Sequence, residues 1–133
     1  MPPRTYRVDE ANLVLPEVRR LTGRIAELNG QLPELQDEQR IAEYLARRPG
    51  AGAQDRRRYE DATARLQSAE DEMMAAVSGL DHLGVQLKDA SSGLVDFLSY
   101  REGELIELCW KLGEERIAHW HRIGEGYPGR KPL

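Results

Sequence analysis

The chain has 133 residues, of which 40% are hydrophobic and 32% charged, and its formal net charge is −4. This length suits one domain, and the apolar fraction is too high for a fully disordered chain. The negative charge argues against a dedicated nucleic-acid binder, and the single cysteine excludes a disulfide bond within the chain.

No targeting or membrane signal is evident in the sequence. Met1–Thr5 is not followed by an apolar run, so we expect no signal peptide. No stretch approaches the ~20 apolar residues that a membrane span needs. With one cysteine and no such signals, we expect a cytoplasmic protein that has no membrane partner.

Two long helical patterns occupy the first two thirds of the chain. Apolar residues alternate with spacings of three and four across 9–46 and again across 54–80, the heptad pattern of packed helices. A loop rich in proline and glycine, 47–53, separates them, which predicts an antiparallel, coiled-coil-like helical hairpin. The predicted seam residues are Val18, Leu21, Ile25, Leu28, Leu32, Leu35, Tyr59, Ala62, Leu66, Ala69, Met73, Ala76 and Leu80.

Two details of this hairpin allow alternatives. Thr5–Val8 is short, β-branched and aromatic, so it can form an edge strand before Asp9 caps the first helix. Gly30 and Pro33 interrupt the first helix, because proline lacks a backbone donor. The heptad phase continues past them, which favours one kinked helix over two separate helices.

The final third, 85–133, changes to a strand pattern and completes the single domain predicted for 1–133. A short alternating strand is predicted at 85–89, and a β-hairpin at 94–110 that turns at Glu102–Gly103.

The hairpin register separates polar from apolar side chains. It pairs Asp96 with Cys109 and Phe97 with Leu108, so that one face is apolar and lies on the helices. A short C-terminal helix is predicted at 113–122, with acidic residues in its first turn. The predicted fold class is α+β, mostly α: a long antiparallel helical hairpin, a small antiparallel β-sheet and this short helix.

A set of residues along the whole chain resembles a known family. Near the N-terminus these are Tyr6, Glu10–Asn12 and Leu15–Glu17. The more specific residues are in the C-terminal block: Leu87–Asp89, Gly93–Phe97, Leu108–Trp110, Gly113–Glu114, Trp120–His121 and Gly129–Arg130. In these positions the chain resembles an uncharacterised prokaryotic family, domain of unknown function 2203, so a bacterial source is expected. The resemblance implies no activity, cofactor or site residue.

One set of candidate site residues has the donor atoms of a metal centre. Carboxylate, thiolate and imidazole groups bind zinc or iron. Seven residues separate Glu114 from His121, so both face one side of the predicted helix. The simpler interpretation is structural, with Cys109 as a small buried hydrophobe and His121 donating to a backbone carbonyl. We expect that role and no cofactor, with a divalent metal as the alternative. The set is Asp96, Glu107, Cys109, Glu114, His119 and His121.

A second candidate site combines aromatic and cationic side chains, which together can bind an anionic or planar ligand or a protein partner. The alternative is a small core in which tryptophan fills volume, and Trp110 fits that alternative best because its neighbours are apolar. The set is Trp110, Trp120, Arg122 and Arg130, with Tyr100, Tyr127 and Lys131 nearby.

The sequence contains no GxSxG, P-loop, dinucleotide-binding, HExxH or CxxC motif, so an enzyme is not favoured.

The leading functional prediction comes from the long helical hairpin. A two-helix arm exposes apolar edges, which predicts a homodimer through the helices or an unknown protein partner. A metal or small-ligand site in the C-terminal block is the alternative. Nucleic-acid contact is the second alternative, and we expect none; it would use the hairpin tip, Arg47, Arg48, Arg56, Arg57 and Arg58.

Overall fold

Two long helices and a five-stranded sheet make up most of the computed structural model, which describes residues 3–133. The helices come first in the chain and the strands follow, as expected for an α+β fold. The elements are α1 (Val8–Arg47), α2 (Ala53–His82), β1 (Val85–Asp89), β2 (Leu94–Arg101), β3 (Glu104–Lys111), β4 (His119–Arg122), a 3-10 turn (Tyr127–Gly129) and β5 (Lys131–Pro132).

The predicted antiparallel hairpin of helices is confirmed, with ends that differ by one or two residues from the prediction. Ion pairs between the helices show the antiparallel order: Arg24 Nε lies 2.6 Å from Glu72 Oε2, and Arg65 Nη2 lies 3.0 Å from Glu38 Oε2. At 40 residues, α1 is about 60 Å long. It continues through Pro33, so a split into two helices is wrong.

The predicted edge strand at Thr5–Val8 is also wrong. Val8 opens α1, and residues 3–7 before it form neither helix nor strand. Tyr6 nevertheless anchors this segment, because its amide donates to the Leu98 carbonyl at 2.8 Å and its ring packs edge-on against Phe97. Tyr6 lies just past the point where β1 stops pairing with β2, at Phe97, and this single backbone hydrogen bond does not make a strand.

The helical seam is well buried only in the half of the arm near the sheet. From Ala11 to Leu28 the inward side chains of α1 are buried, whereas Leu32 and Leu35 farther along are only half-buried. Farther along the arm the buried residues are small alanines: Ala42 on α1, and Ala62 and Ala69 on α2. Neither α1 nor α2, the long helices of the described part of the chain, is apolar enough to cross a membrane.

The strands form one antiparallel sheet in the order β1-β2-β3-β4-β5. The predicted hairpin register is confirmed, with Asp96 opposite Cys109 and Phe97 opposite Leu108. Glu102 and Gly103 have φ angles of 53° and 79°, the two positive values of a type I′ turn. This turn matches the right-handed twist of the strands and sets the register from which the two faces of the sheet follow.

The helix predicted at 113–122 is wrong, and the 3-10 turn at Tyr127–Gly129 is the helical structure that follows β3 in the described residues. In its place, His119–Arg122 forms β4 along the free edge of β3. The acidic residue that suggested a helix start has another role: the carboxylate of Glu114 accepts the Lys111 amide at 2.8 Å and closes the turn after β3.

The hydrophobic core lies between the helices and one face of the sheet, called here the inner face. Burying these large side chains contributes roughly 1.5–3 kcal/mol each. The close packing of this core needs a glycine at position 93, just before β2, because a Cβ atom there would lie 2.5 Å from Leu112 Cβ. The core includes Tyr6, Leu15, Val18, Leu21, Ile25, Leu80, Val85, Val95, Phe97, Ile106, Leu108, Trp110, Ile117 and Trp120.

Candidate metal centre

The opposite face of the sheet, called here the outer face, carries four buried side chains that are polar or contain sulfur. Successive side chains alternate between faces, so those beside the inner-face residues point outward. Each of the four is at most 8% exposed: Asp96 on β2, Glu107 and Cys109 on β3, and His121 on β4. The segment after β4 returns over this face, since Gly124, Gly126 and Tyr127 line a pocket together with the polar side chains.

Three of these side chains meet at one point. The donor atoms of Asp96, Cys109 and His121 all lie within 4.8 Å of one another. Asp96 and Cys109 are cross-strand partners, and His121 lies on the next strand, diagonal to Cys109. Three adjacent strands therefore each supply one carboxylate, thiol or imidazole group, on a sheet that holds them in place.

Two hydrogen bonds determine the orientation of the His121 ring. Its Nδ1 lies 2.9 Å from the carbonyl oxygen of Arg122, and its Nε2 lies 3.1 Å from Asp96 Oδ1. Because a carbonyl oxygen can only accept, Nδ1 carries a proton and donates it. Nε2 then faces Asp96 and Cys109. This is the orientation of metal-binding histidines, whose second nitrogen donates to a carbonyl or carboxylate.

The Cys109 thiol is not set up as a nucleophile. Burial and the nearby charge of Asp96 raise the pKa of the thiol to about 11, although contact with the Arg130 guanidinium opposes the increase. Reactive cysteines have lowered pKa values and a free base beside them. Here both ring nitrogens of His121 are already engaged, with Asp96 and with the Arg122 carbonyl. A bound divalent metal would instead replace the thiol proton.

Glu107 lies beside the cluster without joining it. Its carboxylate is not among the three grouped donors, and burial, followed by the charge of Asp96, raises its pKa. It lines a pocket of about 200 Å³ that also reaches Asp96 and His121. The full lining is Lys88, Leu94, Asp96, Glu107, His121, Gly124, Gly126 and Tyr127.

Glu114 and His119, also predicted as candidates, lie outside the cluster. Arg130 donates two hydrogen bonds to the carboxylate of Glu114, at 3.0 and 2.5 Å. Burial alone would raise the pKa of Glu114, but Arg130 and the Lys111 amide outweigh burial and lower it. His119 Nδ1 is 4.0 Å from Glu114 Oε2. The helix that was expected to align Glu114 with His121 does not exist, so the two point to different surroundings.

The predicted aromatic and cationic set is divided between the two faces. Trp110 and Trp120 both belong to the core on the inner face, and Trp110 is fully buried. Arg122 lies over the Trp120 ring at 5.5 Å, whereas Arg130 lies over the Tyr127 ring at 4.4 Å. The structure therefore does not bring the four predicted residues into one pocket.

Several residues that shape this region were not predicted as site residues from the sequence. Lys88 reaches the pocket from a β-bulge in β1, and the turn glycines Gly124 and Gly126 form its far wall. Asn12 accepts the amide of Ile117 at 2.9 Å, which fastens the segment before β4 to α1. The alternation of two histidines around Trp120 was the one available signal for β4.

The arginine-rich tip of the helical arm, at residues 47–58, is separate in sequence from the cluster of Asp96, Cys109 and His121. All five predicted tip arginines are exposed, and Arg47 pairs with Glu43 at 2.8 Å. The expectation that this tip does not bind nucleic acid stays a prediction.

Comparison with known proteins gives one match. A protein-family model described as an uncharacterized conserved protein, DUF2203, matches residues 4–133. A search of curated proteins and a search of solved structures each gave no match. The family resemblance found in the sequence is thereby confirmed.

Proposed function

We propose a function for this chain, which belongs to the DUF2203 family: it binds one divalent metal ion, preferably zinc, through Asp96, Cys109 and His121. One observation carries the proposal. Three different donor groups, each at most 2% exposed, lie within 4.8 Å of one another on three adjacent strands. The His121 ring is also held by its Nδ1 so that Nε2 faces the other two groups.

The spacing of the donors is close to that of a zinc site. Bond lengths of about 2.0–2.3 Å in a tetrahedral site place neighbouring donor atoms about 3.3–3.8 Å apart. His121 Nε2 and Asp96 Oδ1 are already 3.1 Å apart, so Cys109 needs only a small shift to complete the set. Mixed nitrogen, oxygen and sulfur donors favour zinc, and iron(II) is the next choice.

A bound metal would also account for the charges at this place. A buried carboxylate and a buried thiolate are each costly unless an opposite charge compensates them. A divalent ion balances one charge on Asp96 and one on Cys109, while His121 binds in its neutral form. Binding would release the thiol proton, so affinity should rise with pH.

The test is metal content and metal-dependent stability of the purified protein. We expect one zinc per chain after dialysis against zinc and removal of excess metal, and a melting temperature that falls when a chelator removes it. Asp96→Ala, Cys109→Ala and His121→Ala should each abolish stoichiometric binding. His119→Ala is the matched control, since it changes a histidine two residues away on the same strand and face, and it should retain zinc.

The structural interpretation gives the opposite results. If Asp96 and His121 only satisfy each other and Cys109 only fills space, zinc content should be near zero and chelator should leave the melting temperature unchanged. Loss of zinc from His119→Ala to the same degree as from His121→Ala would show that the ligands are assigned wrongly.

We propose self-association through the helical arm as a second function, because its far half leaves apolar surface uncovered. Ile41 and Tyr44 are 52% and 72% exposed there, and Leu32 and Leu35 are half-buried. Large exposed apolar patches commonly mark interaction sites, and a two-fold pairing of equal arms would cover this one.

Light scattering at micromolar concentration tests this second proposal. We expect a mass near twice the 15.1 kDa of the chain. Ile41→Glu together with Tyr44→Glu should give a folded monomer, because both side chains are exposed in the isolated chain. Leu28→Glu should instead destabilise the fold and the assembly together, since Leu28 is buried. A monomer at all concentrations would contradict the proposal.

A further inference from the structure

We infer that the metal proposed above keeps one coordination position for a small monocarboxylate ligand, which enters from the adjacent pocket and is held there by Lys88. The inference rests on the proposed metal site and adds to it the chemical class of the ligand. It follows from the number of protein donors, the position of the pocket and the charges on its wall.

The cluster supplies three donors, whereas zinc takes at least four ligands. Structural zinc sites use four protein ligands, and sites that act on a ligand use three and leave one position for water or substrate. In the described residues, the group of donors contains Asp96, Cys109 and His121. Three protein donors is therefore the number expected for a metal site that leaves one coordination position open to an exchangeable ligand.

The pocket lies where the fourth ligand has to enter. Asp96 and His121 form part of its wall, so the metal that they hold faces its interior. Its volume of about 200 Å³ is below the roughly 300–1,000 Å³ of pockets for drug-sized molecules. A ligand of a few heavy atoms suits this space.

The charges on the wall select a single negative charge. The divalent ion is balanced by Asp96 and Cys109, and the ammonium group of Lys88 on this wall can pair directly with one anionic group of a ligand. Glu107 lies on the same wall, and its carboxyl group disfavours a second negative charge on the ligand. These charges favour a monocarboxylate over a dicarboxylate or a phosphate.

Cobalt(II) in place of zinc gives a direct test, because its visible absorption bands report thiolate binding and changes of coordination. Acetate and formate would be titrated into the cobalt-loaded protein at constant ionic strength with perchlorate as the background salt. We expect a saturable change of the bands with acetate or formate and none with succinate or phosphate at equal concentration. Lys88→Gln should weaken acetate binding roughly tenfold, about the effect of one hydrogen bond to a charged group.

Controls separate the possible failures. Arg57→Gln removes the same charge at the arm tip, where the side chain is exposed, and should leave the affinity for acetate unchanged. Cobalt that binds with a thiolate band but does not respond to acetate or formate would overturn the inference and leave the metal site standing. Equal acetate binding by Lys88→Gln and the unaltered protein would also overturn it. Absence of the thiolate band would reject the proposed metal site itself.

Discussion

Both faces of the sheet carry buried side chains, and these are buried for different reasons. On the inner face, Phe97, Leu108 and Trp110 pack on the helices, and the removal of apolar surface from water explains their burial. On the outer face, Asp96 and His121 are just as inaccessible, although burying them costs free energy. Packing therefore accounts for burial on the inner face alone. On the outer face the hydrogen bond between Asp96 and His121 offsets part of the cost, and the proposed metal ion would offset more.

The largest effect is expected on the inner face. Trp110→Ala should lower the free energy of unfolding by about 3–5 kcal/mol, because it leaves a large cavity in the core. Denaturant unfolding measures this loss, and Tyr100→Ala is the control because Tyr100 is 64% exposed. The remaining folded protein should still bind one zinc per chain, because Trp110 points away from the metal centre. Similar losses for the two variants would refute the assignment of Trp110 to the core.

A smaller effect is expected on the outer face without metal. With excess chelator present, Asp96→Ala should lower the free energy of unfolding by about 1–3 kcal/mol, because it leaves His121 Nε2 buried and without its partner. Asp71→Ala changes an exposed residue of α2 and should cost at most about 0.5 kcal/mol. In excess zinc the difference in free energy of unfolding between the unaltered protein and Asp96→Ala should widen, because zinc binding stabilises only the unaltered protein. An unchanged difference would mean that Asp96 does not bind the metal.

The ion pair between Glu114 and Arg130 lies beside the metal centre. It should contribute about 1 kcal/mol or slightly more to the free energy of unfolding, and this contribution should depend on pH. Because Arg130 and the Lys111 amide lower the pKa of Glu114 in the folded protein, the pair stabilises the fold above the unfolded value of about 4.3. That stabilisation is lost as the pH falls through the folded pKa. Glu114→Gln should therefore destabilise the protein at pH 7 and reduce the further loss at acidic pH.

The control for this pair is Glu115→Gln, because Glu115 is the exposed neighbour of Glu114 in the chain. Thermal unfolding at several pH values compares the two variants. Parallel stability curves for Glu114→Gln and the unaltered protein across the acidic range would contradict the assigned role of Glu114.

The smallest effect concerns the reactivity of the Cys109 thiol toward thiol reagents and hardly affects stability. Cys109 is 1% exposed and burial raises the pKa of its thiol to about 11, so a thiol reagent should modify the metal-free protein slowly until it unfolds. Added zinc should slow the modification further. Fast modification of the folded protein would show that the outer face is open to solvent, and the comparison of the two faces would then fail.

The sequence predicts most of the fold because its strongest signals are periodic or local. Heptad spacing predicts both helices to within two residues, and Glu102–Gly103 predicts the hairpin register that pairs Asp96 with Cys109. The error at 113–122 has a local cause. Glu114 resembles a helix start, but its carboxylate bonds to Lys111 and Arg130 instead.

The arrangement of the site depended on that same segment. With 113–122 as a helix, His121 aligns with Glu114 and the donors do not converge. As strand β4, the segment places His121 one strand from Cys109. The alternation of polar and apolar side chains around Trp120 contains this information, but the four-residue strand is too short for a strong periodic signal. Lys88 and the glycines of the pocket follow only from the three-dimensional path of the chain.

X-ray absorption at the zinc edge of the loaded protein tests the central claim most directly, because it reports the atoms bound to the metal. The account predicts one sulfur ligand at about 2.3 Å together with nitrogen and oxygen ligands at about 2.0–2.1 Å. Any zinc that Cys109→Ala still binds at high zinc concentration should show no sulfur ligand. A zinc ion bound by nitrogen and oxygen alone in the unaltered protein, or an unchanged spectrum in His121→Ala, would contradict the proposed metal centre.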